Sequence, residues 1–145
     1  MSAIPYSEAT EAAVIGVVIV YPDRVLEEVI ATGLRPGHFH VPAMSRAWEA
    51  VLDLHAEGTP VDAHTVAGKV DDRQAVARAI ATAADAMPTN APAWAGVVIR
   101  DARARQMLTP LAAALEAARA GQVDEVFELL HATLDAAEVA NHVCH

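Results

Sequence analysis

Cysteine is almost missing from this chain: Cys144 stands alone. One thiol permits no internal disulfide, and that suits a reducing compartment. Aromatic residues are as scarce, at 4%, too few for a β-sandwich, which draws on aromatic and β-branched side chains. Positive charge is short as well. Ten Lys and Arg, with Lys69 the single lysine, face nineteen Asp and Glu for a net charge of −9. Nonspecific nucleic-acid binding draws on counterion release by cationic contacts, so any DNA binding is expected to be weak or indirect. No run is long enough to cross a bilayer. The longest apolar stretch, residues 12–20, falls short of half a membrane span. The first ten residues are polar and acidic, unlike a secretory leader. A soluble, cytoplasmic protein without membrane contact is the expectation.

What the chain has is alanine, about a fifth of its 145 residues, within an apolar content of 54%. Alanine loses no rotamer entropy in a helix, and this length supports one real core. The fold class predicted is all-α, a compact multi-helix bundle followed by a C-terminal helical hairpin. Ser7 caps a first helix over residues 8–20, with Glu8 and Glu11 in its positive first turn. Its β-branched run also suits a buried strand, and the cap decides for helix. Asp23 caps a second helix that Gly33 stops, and residues 34–41 form a loop. Pro42 opens a third helix, ended by Gly58; Asp62, with Thr65, caps a short fourth; Asp71 or Asp72 starts a fifth. After a break at residues 87–90, Asn90 caps a long helix. Pro110 predicts a kink or short break in it.

The last third reads as a pair of antiparallel helices around Gly121. Leu108, Leu111 and Leu115 form one apolar stripe; Val123, Val126, Phe127, Leu130 and Leu134 form another. A hairpin bonded along an inner seam leaves such flanks in need of a partner, either the body of the domain or a second chain. The division expected is a globular domain over 1–106, a dimerising hairpin over 107–140 and a tail over 141–145. Its candidate interface is Leu108, Leu111, Leu115, Val123, Phe127, Leu130 and Leu134, in a homodimer or higher homo-oligomer.

Residues that carry chemistry are hard to find. There is no GxxxxGK[ST] loop, no GxGxxG and no HExxH, so neither an ATPase motor nor a zinc enzyme is supported. No catalytic residue, metal site or cofactor is assigned. His38 and His40 flank Phe39 in a loop, and His142, Cys144 and His145 crowd the tail, where adventitious metal binding is the simpler reading. Glu27 and Glu28, Asp71 and Asp72, and Glu125 and Glu128 are dense acids explained by helix positions and caps. Arg100, Arg103 and Arg105 form the local concentration of positive charge. They are a possible single-stranded nucleic-acid contact, without neighbouring aromatics in sequence to stack on bases.

Several ordered blocks resemble one family, the amino-terminal domain of DnaB-type replicative DNA helicases. EATEAAVIGVVI from Glu8 is similar to the family's EAEQAVLGALL opening, and Pro22-Asp23 follows it. LRPGHF from Leu34 resembles L-(K/R)-P-x-x-F. WEAVLDLHAEGTPVD from Trp48 resembles FEAILELYERGEPVD, and MPTNAPAWAGVVIRDARARQML from Met87 is similar to the family's long-helix segment. Met44 and His40 depart from the usual histidine and tyrosine. The resemblance implies a non-catalytic collar domain whose paired hairpins help hold a hexamer together and contribute to primase binding. No RecA-like motor follows the hairpin in this sequence. Two situations are expected. The chain is an excised domain of a longer helicase or, slightly favoured by the altered collar motifs, a stand-alone interaction module with replicative helicase or primase as partner, a recruiter or inhibitor. A single-stranded DNA-binding, loader-like protein is the alternative.

Overall fold

The computed structural model describes residues 4–143, with side chains to residue 135. Among the described residues there are seven α-helices and no strand: α1 Glu8–Val20, α2 Pro22–Ala31, α3 Pro42–Glu57, α4 Ala63–Ala67, α5 Arg73–Ala83, α6 Ala91–Arg119 and α7 Val123–Val143. Two 3-10 turns, Pro36–His38 and Pro88–Asn90, precede α3 and α6. The all-α expectation holds.

The β-branched run that suited either a strand or a helix is the central helix. Val14, Ile15, Val17, Val18 and Ile19 of α1 are all buried, because α2, α3, α5 and α6 surround it. A helix that is apolar on every side belongs in the middle of a bundle. Around it lie Val25, Leu26 and Val29 of α2, Trp48, Val51 and Leu54 of α3, Val66 of α4, Val76 and Ala79 of α5, and Val98 and Ile99 of α6. The closest approach is at Gly16. A Cβ built there lies 1.9 Å from the carbonyl oxygen of Ala79, so α1 and α5 touch backbone to backbone.

Capping follows the sequence at three starts. The Thr10 N–H donates to Ser7 Oγ at 3.2 Å, and that of Ala75 to Asp72 Oδ1 at 2.9 Å. Thr65 N–H donates to Asp62 Oδ1 at 2.8 Å while Asp62 N–H donates back to Thr65 Oγ1 at 3.0 Å, a reciprocal capping box. Gly33 and Gly58 adopt positive φ of 88° and 75° at the ends of α2 and α3.

Three starts and breaks differ from expectation. α2 begins at Pro22, one residue before Asp23, with Tyr21 at the cap and no side-chain bond there; proline's fixed φ suits the first helical position. Asn90 makes no capping bond, since the 3-10 turn has already set it in helical conformation, φ −86° and ψ −8°. At Pro110 the short break is absent, since α6 runs through the proline as one helix. The proline removes one backbone bond, to the Gln106 carbonyl. Packing on both sides, Ala102 into the globule and Ala114 and Ala117 toward α7, carries the helix across the gap. The globule and the hairpin thus share one helix. No described helix is long and apolar enough to cross a membrane.

Candidate interaction surfaces

The hairpin begins where α6 leaves the globule. At its tip Gly121 takes φ 77°, and Gln122 N–H donates to the Ala117 carbonyl at 2.9 Å, the wrap that ends a helix in a left-handed glycine. α7 then packs back along α6, and among the described residues it makes no comparable contact with any other element. The seam is small: Ala114, Ala117 and Thr133 are buried there, and the Thr133 hydroxyl is satisfied by the Leu129 carbonyl at 2.8 Å. Val126 and Leu129 of α7, at helical spacing with Thr133, are half-buried; the other large apolar side chains of the two stripes are exposed. Leu108, Leu111, Leu115, Val123, Phe127, Leu130 and Leu134 are between 37% and 65% exposed. Spacings of three and four residues align them as a stripe on each helix.

A second surface is built on the segment of residues 34–41. Irregular backbone has no ladder to satisfy its polar groups, so partners must come from elsewhere. Three helices supply them. Trp48 Nε1–H donates to the Leu34 carbonyl at 3.0 Å, and the Ser45 hydroxyl to that of Pro36 at 2.7 Å. Arg105 donates to the His38 carbonyl at 2.7 Å and, with its other terminal nitrogen, to that of Pro5 at 2.8 Å. Glu11, buried on α1, accepts from the backbone N–H of both His40 and Val41 at 3.0 Å. Glu11 lies in the first turn of α1 as expected, and its carboxylate also clamps the approach to α3. Side-chain periodicity holds the missed signal, since Glu11 shares a face with the buried Val14, Ile15 and Val18.

His38 is buried, and its Nδ1 accepts the Arg35 N–H at 2.9 Å, which leaves the hydrogen on Nε2. Its pKa is lowered from 6.5 to about 4, by burial first and then by the nearby guanidiniums of Arg35, Arg103 and Arg105. Both His38 and His40 are therefore engaged in the fold, His40 by stacking on Tyr6 with ring centroids 4.2 Å apart. Among the described residues no group of three or more His, Cys, Asp or Glu is placed to hold a metal. The side chains of His142, Cys144 and His145 lie outside the described residues.

Of the three arginines singled out, Arg100 is exposed, Arg103 has a buried, unpartnered Nε, and Arg105 is committed to two carbonyls. Sequence reasoning had no route to the partners of Arg105, because the Pro5 and His38 carbonyls reach it only across the fold. A groove of about 760 Å³ between α1, α3 and α5 is floored by Ala9, Ala12, Ala75 and Ala79. The Thr82 hydroxyl on its wall is spent on the Arg78 carbonyl at 3.0 Å, so the groove offers no activated nucleophile.

These features define a class: an all-α domain in which the last two described helices form a hairpin with uncovered apolar stripes. Comparison with known proteins makes the assignment specific. Residues 3–99 match the family model of the DnaB-like helicase N terminal domain, and the chain belongs to that family. It is 32% identical over 125 residues to the replicative DNA helicase DnaB of Mycobacterium leprae (strain TN), covering 74% of this chain and 20% of that protein. The chain thus spans about a fifth of the curated relative's length. It superposes on the crystal structure of the N-terminal domain of DnaB helicase from Mycobacterium tuberculosis with a TM-score of 0.73 and 26% identity, over 89% of this chain and 99% of that one. A structure of a DnaB-like replicative helicase, described with its interactions with primase, shares the fold at TM-score 0.63 and 19% identity, over 88% of this chain and 31% of that one.

Proposed function

We propose that this domain is a self-associating interaction module of DNA replication, which pairs with a second copy through the hairpin and in that form contacts a replicative helicase or primase. The observation that carries the reading is the exposed apolar set Leu108, Leu111, Leu115, Val123, Phe127, Leu130 and Leu134 on the hairpin. Family membership supports it. The structural likeness to a helicase described with its primase interactions supports helicase or primase as the class of partner. Burying the exposed parts of seven such side chains in each of two copies yields roughly 10–20 kcal/mol, against association costs of about 4–15 kcal/mol. A symmetric pair uses each residue twice.

Light scattering after size exclusion tests the pairing. The wild type is expected to elute as a dimer or larger at micromolar concentration. Phe127→Asp places two charges at one interface and should weaken association by at least about 100-fold. A wild type that stays monomeric at high micromolar concentration refutes the reading. Pull-down against helicase and primase then identifies the partner, and addition of the chain to a helicase assay separates a recruiter from an inhibitor.

A further inference from the structure

The groove of about 760 Å³ between α1, α3 and α5 is a surface that the hairpin reading does not use. One stripe of α5 lines it, Asp72, Ala75, Ala79 and Thr82, at spacings of three and four. Over that span a helix advances about 15 Å, close to three turns. Ala9 and Ala12 of α1 share the floor, and methyl groups there leave a trough that longer side chains would fill. Polar groups at its edge are spent inside the fold, Asp72 Oδ1 on the Ala75 N–H and the Thr82 hydroxyl on the Arg78 carbonyl. A small polar ligand finds little to orient it. An extended peptide finds no sheet edge, since no strand is present among the described residues. A helix arrives with its own backbone bonds made, and an alanine floor lets its axis approach to the lower end of the usual 8–10 Å. Four charged residues line the groove, Arg46 and Arg78 with Glu8 and Asp72. That is a local balance on a chain with ten Lys and Arg against nineteen Asp and Glu.

We propose that this groove docks an amphipathic helix of a partner protein, about three turns long, whose leucine-type stripe is flanked by charges of both signs. The stripe would fill the alanine floor; a flanking acid would meet Arg46 or Arg78, and a flanking base Glu8 or Asp72. Charge decides among the occupants. A nucleic-acid strand carries negative charge alone and needs a continuous cationic track, which Glu8 and Asp72 interrupt. The α7 stripe of a second copy has the right spacing but the wrong flanks, because Asp124, Glu125, Glu128 and Asp135 are all acidic. Acids on every flank would bring some of them against Glu8 and Asp72, and like charges at an interface suppress a wrong partner. A helix with mixed flanks meets no such conflict. No residue of the groove belongs to the hairpin, so docking and pairing are separable.

Fluorescence anisotropy on the full chain tests it, with the labelled helical peptide ELARLLEKLARLLE as probe and a scrambled peptide of the same composition as control. The striped peptide is expected to bind at least about tenfold more tightly than the scramble. Ala9→Gln, which raises a polar chain from the groove floor, should weaken it by about tenfold, and Arg78→Glu by about threefold at low salt. Ala9 is exposed, so its variant is expected to keep the wild-type melting curve; should it fail to fold, Arg78→Glu decides. Phe127→Asp should bind the probe as the wild type does, while light scattering reads pairing on its own. Equal binding of the two peptides, or indifference to Ala9→Gln, overturns the proposal. So does loss of the probe in Phe127→Asp, which would place it on the hairpin. Displacement of the probe by an unlabelled peptide of residues 123–135, as readily as by the unlabelled probe itself, overturns it in favour of a second copy.

Discussion

Adding one methyl group to Gly16 and one to Gly96 should move stability in opposite directions. At Gly16 the new Cβ would lie 1.9 Å from the Ala79 carbonyl oxygen, 2.7 Å from its carbon and 3.2 Å from the Ala83 Cβ. Relief requires α5 to withdraw from α1 by more than about 1 Å. A gap of 0.5–1 Å forfeits roughly a quarter to a half of each dispersion contact along the seam, where Val76, Ala79 and Ala83 are buried. Overpacking of this kind costs about 1–3 kcal/mol or more. A backbone clash at the centre of the bundle places Gly16→Ala at the upper end, about 3–4 kcal/mol. At Gly96, within α6, nothing lies within 4 Å of the added atom, and helix propensity alone should stabilise by roughly 0.5–1 kcal/mol. Thermal melts followed by circular dichroism should show Gly16→Ala lower by roughly 10 °C and Gly96→Ala higher by roughly 2 °C. The clash is with backbone, so adding Ala79→Gly should not rescue Gly16→Ala. A Gly16→Ala melt within 2 °C or so of wild type, or rescue by Ala79→Gly, would refute the close crossing.

Glu11→Gln replaces one of two acceptors facing the His40 and Val41 N–H groups with a donor. A loss of about 1.5–3 kcal/mol is expected in urea denaturation, with faster amide exchange at His40 and Val41; a loss below about 0.5 kcal/mol refutes the clamp. For His38 the folded pKa, about 4, lies below the unfolded value of 6.5. The unfolded chain therefore binds the extra proton between those values. Its contribution is whole above pH 6.5 and is lost as pH falls toward 4. Discounted for screening of the neighbouring guanidiniums, the loss is about 1–2 kcal/mol. The urea midpoint should fall more between pH 7 and 5 in the wild type than in His38→Asn, and equal falls would count against a buried neutral imidazole.

Much of the architecture was legible in sequence because local signals and tertiary packing agree. Ser7, Asp62 and Asp72 cap as their types dictate, and Gly33, Gly58 and Gly121 take the left-handed turns that end α2, α3 and α6. Where the two disagree, packing decides. Pro110 fails to break α6, and Asn90 yields to a 3-10 turn. The hairpin stripes were legible from spacing alone, since helical periodicity puts Leu108, Leu111 and Leu115 on one face whatever that face touches. The corner around residues 34–41 was not. Arg105 reaches Pro5 across 100 positions of sequence and His38 across 67, and Glu11 reaches Val41 across 30. No periodicity encodes contacts between a helix side chain and a distant irregular backbone.

Why the leucines lie outside and the alanines inside connects the hairpin's stability to its use. Alanines at 114 and 117 let two helix axes come near the lower end of the usual 8–10 Å spacing, but each buried methyl removes little surface from water. Among the described residues α7 packs on α6 through Thr133 and the half-buried Val126 and Leu129 against Ala114 and Ala117, a narrow seam that offsets only part of its ordering entropy. Turning Phe127, Leu130 and Leu134 inward would have closed the pair as a self-sufficient unit and left a polar exterior. With these side chains outward, much of the burial open to them needs another surface, so the proposed pairing would link ordering of α7 to association. A stable lone hairpin would have needed the opposite arrangement of the same residues.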